Sequence, residues 1–113
     1  MSTHGTVLHY SPRHRLAVIG WESGDVQSMV LSEHLTDREV GLLLAMYDEP
    51  IPVKYGTHVR TLVPQTSEPT GETISALFET IPLRQVAYLT ATGDRITFWC
   101  GMSSATGRWY VRM

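Results

Sequence analysis

Five histidines and one cysteine are the side chains that could ligate a metal or attack a substrate. They are His4, His9, His14, His34, His58 and Cys100. The histidines show no tight ligand spacing, and no Cys-x-x-Cys pair accompanies them, as it does in many structural zinc sites. His9 and His14 could face each other across a hairpin, but a third ligand is not evident. The spacing therefore predicts neither a metal site nor a cofactor.

Cys100 lies in an apolar run in which Ile96, Phe98 and Met102 would share its face of a strand. A thiol buried in a core behaves as a small hydrophobic group and is inert as a nucleophile. The sequence also lacks the glycine-framed serine motif, the phosphate loop and the dinucleotide-binding glycine pattern. We therefore expect no catalytic residue and a non-enzymatic protein.

The composition indicates a single globular domain spanning residues 1–113. With 42% hydrophobic residues, the chain can bury about two-thirds of the surface that it exposes when unfolded. A net charge of −2 argues against a strongly basic nucleic-acid-binding protein. No apolar run approaches the roughly 18 residues of a membrane-spanning helix, and the N-terminal segment lacks the pattern of a secretory signal. Since a lone cysteine suits a reducing compartment, we expect a cytoplasmic protein.

Strand patterns dominate the N-terminal third. Residues 6–10, 15–20 and 26–31 are β-prone runs, and turn-forming residues such as Pro12 and Gly24 separate them. Their spacing predicts a three-stranded antiparallel meander.

A helix is predicted over residues 36–47. Thr36 and Glu39 form a capping box, in which the hydroxyl accepts the N–H of residue 39 and the carboxylate accepts the N–H of residue 36. Apolar residues then follow at helical spacing until Pro50 ends the run. These residues are Val40, Leu43, Leu44 and Tyr47.

Residues 51–63 predict an edge strand that leads into a second strand, and residues 64–71 have the composition of a loop. The run 72–81 fits a short helix, because its apolar residues recur at i, i+3, i+4 and i+7. A strand is the competing interpretation, since residues 73–77 would also pair in a hairpin.

The last thirty residues predict a second meander, with strands over residues 84–91, 95–102 and 108–112. The predicted fold class is therefore α+β, mostly antiparallel, with one or two short helices. A small barrel of the oligonucleotide-binding (OB) type is the favoured architecture, and a twisted sheet is the other.

The sequence GTVLHYSPRHRLAVI (residues 5–19), followed by Gly24-Asp25-Val26, resembles the start of a cold-shock domain. That resemblance implies a five-stranded OB-type barrel that binds single-stranded nucleic acid, with residues 56–63 as its fourth strand. Stacking on aromatic residues contributes about 1–3 kcal/mol per base in such proteins. This chain has other residues where the family has its aromatic platform. They are His9, Leu16, Val18, Gln27 and Met29.

Leu35-Thr36-Asp37-Arg38-Glu39 and the leucines at positions 42–44 resemble the first helix of winged-helix regulators of the response-regulator type. This resemblance implies a DNA-binding recognition helix, for which residues 72–81 are the candidate. That segment carries Glu72 and Glu79 and no basic residue, although a recognition helix needs basic or amide side chains for the major groove. We therefore rank this resemblance below the OB one.

The C-terminal strands predict a binding surface. Trp99 would face away from the core, and Arg108, Tyr110 and Arg112 share one face of the last strand. If the strand register brings them together, they form a platform of exposed aromatic and arginine side chains, as at interface hot spots and single-strand-binding surfaces. The alternative is that Trp99 and Tyr110 cover the second face of a sandwiched sheet, with the arginines at its rim.

Two functions follow from these patterns. The first is a nucleic-acid-associated regulatory protein that binds, preferably, single strands through basic β faces. The second is a protein–protein adaptor or inhibitor with an exposed apolar patch of Leu16, Val18 and Met29, which would also allow self-association. The complete set of predicted binding residues is His9, Arg13, Arg15, Leu16, Val18, Met29, Arg60, Trp99, Arg108, Tyr110 and Arg112.

Overall fold

The computed structural model describes residues 4–64 and 76–112. These residues are mostly β-strand with a single helix, which agrees with the predicted α+β class at the level of element content. The elements are β1 (Gly5–Ser11), β2 (Leu16–Trp21), β3 (Val26–Val30), α1 (Asp37–Leu44), β4 (Ile51–Val53), β5 (His58–Pro64), β6 (Ala76–Pro82), β7 (Arg84–Leu89), β8 (Arg95–Met102) and β9 (Trp109–Arg112). Within the described ranges, no helix has the length and apolar character needed to cross a bilayer.

Strands β1, β2 and β3 form an antiparallel N-terminal sheet in chain order. The predicted first meander is therefore confirmed. A register shift between Val7 and His9 places a bulge in β1. Such bulges locally increase strand twist.

The C-terminal sheet has the order β4-β9-β8-β7. Its three later strands form the second predicted meander, and β4 adds to β9 in parallel. The residues just before β4 also pair with β1, because Asp48 donates its N–H to Gly5 O at 2.9 Å and accepts the N–H of Val7 at 3.0 Å. The stretch from Asp48 to β4 therefore connects the two sheets along one side.

The first core lies between the two sheets. Val18 of the N-terminal sheet packs among Phe98, Cys100 and Val111 of the C-terminal sheet. Trp109 fills the space next to Gly20 and donates its indole N–H to Trp21 O at 3.2 Å. Burial of these apolar side chains is the main force that holds the sheets together.

The second core lies on the other face of the C-terminal sheet, where the β5–β6 hairpin covers it. Ile81, Leu83 and Tyr110 are the buried residues of this cluster. The hairpin is also fixed by polar contacts. Tyr110 donates its hydroxyl hydrogen to Thr61 Oγ1 at 2.9 Å, and the Ser103 hydroxyl donates to the Glu79 carboxylate.

Helix α1 has the predicted capping box, with both Thr36–Glu39 hydrogen bonds present. Its regular part ends at Leu44, three residues before the predicted end, and Tyr47 lies in the turn that follows. The Tyr47 ring packs edge-on against Trp21 of the N-terminal sheet, with ring centroids 6.1 Å apart. Asp37 at the other end of the helix contacts Arg15 at 3.4 Å. The helix therefore lies against the N-terminal sheet.

The predicted helix at residues 72–81 is wrong for its described part. Residues 76–82 form β6, which pairs along its whole length with β5. A short apolar run fits both periodicities, and here the backbone pairing with β5 decides the conformation. Residues 72–75, and the predicted loop beyond Pro64, lie outside the described residues.

The described strands do not form a closed barrel. Residues 56–63 were expected to form the fourth barrel strand. Most of them belong to β5, which pairs with β6 instead of joining the N-terminal sheet. The two larger sheets are linked at Asp48 and remain open on the opposite side, between β3 and β7.

Candidate functional site

The predicted Trp99–Tyr110 platform is not an exposed surface. Tyr110 is buried under the β5–β6 hairpin, and Trp99 packs against the same cluster. The Arg112 guanidinium lies 4.7 Å from the centre of the Trp99 ring, and it donates to Gly56 O at 3.3 Å. The alternative interpretation, in which the aromatic residues cover a second core and arginine lies at its rim, is the one that the structure shows.

The predicted apolar patch is also wrong. Val18 is 0% exposed and Leu16 is buried, because both side chains belong to the face of β2 that meets the C-terminal sheet. Met29 is half-buried and pairs with Ala17, a residue of the opposite face. Ala17 itself is completely buried. Both faces of β2 are therefore covered, which strand periodicity cannot reveal.

His9 is not available as a stacking residue for a nucleic-acid base. Its ring already stacks on Phe98, with centroids 5.4 Å apart and an interplanar angle of 17°. Burial lowers the pKa of His9 below its ordinary value, because desolvation penalises the charged imidazolium. The ring is part of the contact between the sheets.

The predicted basic residues lie in separate parts of the fold. Arg13 and Arg15 lie in the turn between β1 and β2, where they contact Asp94 at 3.7 Å and Asp37 at 3.4 Å. Arg60 is exposed on β5, and Arg108 is exposed just before β9. Arg112 is held over Trp99. No single basic stripe results from these placements.

A concave surface lies between the edge strands β3 and β7, and it is here called the β3–β7 groove. One part, a cavity of about 680 Å³, is lined by Val26 and Gln27 of β3 and by Gln85, Val86 and Ala87 of β7, among others. The other part, of about 400 Å³, is lined by Ser28 and Val30 of β3 and by Tyr88 and Leu89 near the end of β7. The groove thus runs along both edges.

Backbone groups of β3 point into this groove. The bonds from Trp21 N–H to Asp25 O (2.9 Å) and from Leu31 N–H to Arg15 O (2.7 Å) fix the alternation of the β2–β3 ladder. Every second residue of an antiparallel edge strand directs its N–H and C=O away from its partner. On β3 these outward residues are Val26, Ser28 and Val30.

Strand β7 also has backbone groups that point away from its partner strand. Thr90 donates its N–H to Asp94 O at 2.8 Å, which continues the β7–β8 ladder and fixes its alternation. The outward backbone groups therefore belong to Gln85, Ala87 and Leu89. Within the described ranges, β3 pairs only with β2 and β7 pairs only with β8. Two edges with unpaired backbone groups consequently border one groove.

Polar contacts frame both ends of the groove. At one end, Arg84 of β7 donates to Gly24 O at 3.1 Å. At the other end, His14 Nε2 lies 3.1 Å from the Asp94 carboxylate, and its Nδ1 lies 3.4 Å from the Thr92 hydroxyl. These contacts join the two sheets and hold the two edges in position relative to each other.

The described part of the chain contains no cluster of three or more residues able to hold a metal. Cys100 lies in the core as predicted, and burial raises the pKa of its thiol. Desolvation keeps the thiol protonated and unreactive, although nearby Arg84 acts in the opposite sense.

No family model, curated protein or solved structure shows significant similarity to this chain. The β3–β7 groove is therefore the feature of the molecule from which a function can be inferred.

The sequence reasoning missed this groove. Val30 and Leu89 are its most informative residues, since they are large, apolar, and 74% and 77% exposed. Their sequence context is that of ordinary strand residues. Only the order of the strands shows that both lie at edges and border the same groove.

Proposed function

We propose that this protein is a non-enzymatic protein-binding module, an adaptor or inhibitor, which accepts an extended segment of a partner protein in the β3–β7 groove. The observation that carries the proposal is a pair of strand edges, both unpaired within residues 4–64 and 76–112, that border one groove. A cytoplasmic location is part of the proposal, supported by the single buried cysteine.

An extended peptide fits these edges because its backbone can pair with groups that have no backbone partner among the described residues. Strand addition of this kind obtains affinity from main-chain hydrogen bonds and specificity from alternate side chains. Exposed edges are otherwise a liability, which proteins reduce by shortening, charging or covering them. Here the edges carry Val30 and Leu89, which offer apolar contact to an incoming strand.

Selection from a random peptide library displayed on phage tests the proposal, with the selected peptides then synthesised for fluorescence anisotropy. We expect extended sequences with alternating apolar residues. Val30→Glu and Leu89→Glu should each weaken their binding about tenfold or more, since a carboxylate would lose water on contact with an apolar strand.

Leu42→Glu is the matched control, because Leu42 is a 63% exposed apolar residue of α1, outside the groove. It should leave peptide affinity unchanged. Failure to select any peptide, or equal loss of binding in the groove variants and the control, would contradict the proposal.

Nucleic-acid binding is a second proposed function, favoured by one observation. Arg60 and Phe78 share the outward face of the β5–β6 hairpin, and Phe78 is 71% exposed. An exposed aromatic ring beside a cation is the arrangement that binds single strands by stacking and phosphate contact.

Fluorescence anisotropy of labelled single-stranded and duplex oligonucleotides, at low and at physiological salt, tests this second function. Binding that falls with salt, and that is lost in Phe78→Ala and Arg60→Gln, would support it. Thr80→Ala on the same face is the control. Absence of binding at low salt would exclude it.

A further inference from the structure

We infer that the segment bound in the β3–β7 groove lies antiparallel to both edge strands and carries acidic residues immediately before an alternating apolar run. This inference rests on the proposed protein-binding function. It adds the direction of the bound strand and the charge of the N-terminal end of that strand.

The two edges run in the same direction along the groove. Val26, at the start of β3, shares a cavity with Gln85 and Val86 near the start of β7. Val30, at the end of β3, shares a cavity with Leu89, at the end of β7. A single strand can therefore be antiparallel to both edges at once. Antiparallel pairing is also slightly more stable per residue than parallel pairing.

The outward backbone groups set the length of the bound segment. On β3 they extend from Val26 to Val30, so the paired part of a partner spans about five residues, or roughly 17 Å. Successive side chains of that strand point to opposite faces. One set would lie against Val30 and Tyr88, which line the apolar part of the groove, and the other set would face solvent. A bound strand in which apolar and polar residues alternate would place apolar side chains in the groove and polar side chains in solvent.

The charges at the two ends of the groove differ. Two arginines lie at the end near Val30 and Leu89. Arg13 lines one cavity together with Leu89, and Arg95 lines a neighbouring cavity that Leu89 also borders. These two guanidinium groups outnumber the Asp94 carboxylate there, which contacts Arg13 at 3.7 Å and His14 at 3.1 Å. At the other end, the cavity carries one arginine, Arg84, and one aspartate, Asp25.

An antiparallel strand enters at the end where β3 and β7 finish. Its N-terminal residues therefore lie beside Arg13 and Arg95, and carboxylates at those positions are attracted by the excess positive charge. The same carboxylates placed at the C-terminal end would meet the balanced pair of Arg84 and Asp25. Charge and strand direction together specify a segment in which the acidic residues come first.

Three synthetic peptides of equal length test the inference by fluorescence anisotropy. The first has two aspartates before alternating valine and threonine, the second has the aspartates after them, and the third has asparagines in place of the aspartates. We expect the acid-first peptide to bind roughly five- to tenfold more tightly than the other two, a difference suited to two exposed ion pairs. Raising the salt concentration should reduce this difference.

The double variant Arg13→Gln/Arg95→Gln should remove the preference, so that the acid-first and asparagine peptides bind with equal affinity. Arg38→Gln, an exposed arginine of α1, is the control and should retain the preference. If the acid-last peptide binds as well as the acid-first one, this inference is wrong while the proposed function stands. If none of the peptides binds and library selection also fails, the proposed function fails as well.

Amide hydrogen exchange of the protein with the acid-first peptide locates the bound strand. We expect new protection at Ser28 and Val30 of β3 and at Ala87 and Leu89 of β7, whose N–H groups point into the groove. Met29 is already paired with β2 and should change little. Protection at these amides without peptide, in a sample that light scattering shows to be dimeric, would identify a second copy of the chain as the occupant and overturn the inference.

Discussion

His9 illustrates how a single side chain can serve packing where its type suggests binding. Its ring lies between the two sheets, stacked on Phe98, and is about half-buried. The neutral imidazole is favoured there because burial lowers the pKa of His9. The sequence places His9 on a strand, but the identity of the ring that stacks on it depends on how the sheets meet.

We predict that the folded protein loses stability as the pH falls from about 7.5 to about 5.5. The unfolded chain takes up a proton at His9 near the ordinary pKa of about 6.5, before the folded chain does, so acid favours unfolding. Urea denaturation of the His9→Phe variant across this range should show a smaller decline in the free energy of unfolding. His34→Gln, at an exposed loop position, is the control. An unchanged pH slope in His9→Phe would contradict the prediction.

The position of the β5–β6 hairpin also depends on contacts with residues that are distant in the chain. Its residues pair extensively with each other, and its attachment to the C-terminal sheet depends on Ile81, Leu83 and Tyr110 together with the contacts of Glu79. The hydroxyls of Ser103 and Ser104 donate to the Glu79 carboxylate. The Ser103 bond is the main reason that the pKa of Glu79 lies below its ordinary value.

We predict that Glu79→Ala increases amide hydrogen exchange in β5 and β6 while the N-terminal sheet is unaffected. The buried Ser103 hydroxyl loses its acceptor, so the hairpin opens more often. Because the folded pKa of Glu79 is lowered, this attachment is present above the ordinary value of 4.5 and is lost as the pH falls through the folded value. Thr80→Ala, on the exposed face of β6, should leave exchange unchanged. Equal exchange in Glu79→Ala and the native protein would disprove the role of this contact.

At the scale of the whole molecule, the close approach of the two sheets depends on Gly20. A Cβ atom at this position would lie only 2.5 Å from the Trp109 ring, which fills the space between the sheets. A side chain at residue 20 therefore requires the tryptophan or the backbone to move. Since Trp109 also donates to Trp21 O, such a movement would disturb the contact between the sheets.

Gly20→Ala should lower the free energy of unfolding by about 1–3 kcal/mol, the usual cost of overpacking a core. Gly41→Ala is the matched control, because a Cβ atom on this exposed helical residue would meet nothing within 4 Å. It should raise stability by about 0.5–1 kcal/mol, since alanine favours the helix over glycine. Urea denaturation of both variants measures the two effects. The same sign of change in both would contradict this account of Gly20.

The sequence by itself determined the features that depend on near neighbours. The Thr36–Glu39 capping box, the turns of both meanders and the core position of Cys100 follow from spacing within a few residues, and the structure confirms them. Tertiary structure decided which residues cover each face of the strands. It made residues 76–82 a strand by pairing them with β5, and it buried Val18 and Tyr110 instead of exposing them. It also left β3 and β7 as edges of one groove. The physical reason is that side-chain periodicity tells which residues share a face, whereas strand pairing and sheet packing join residues that are distant in the chain.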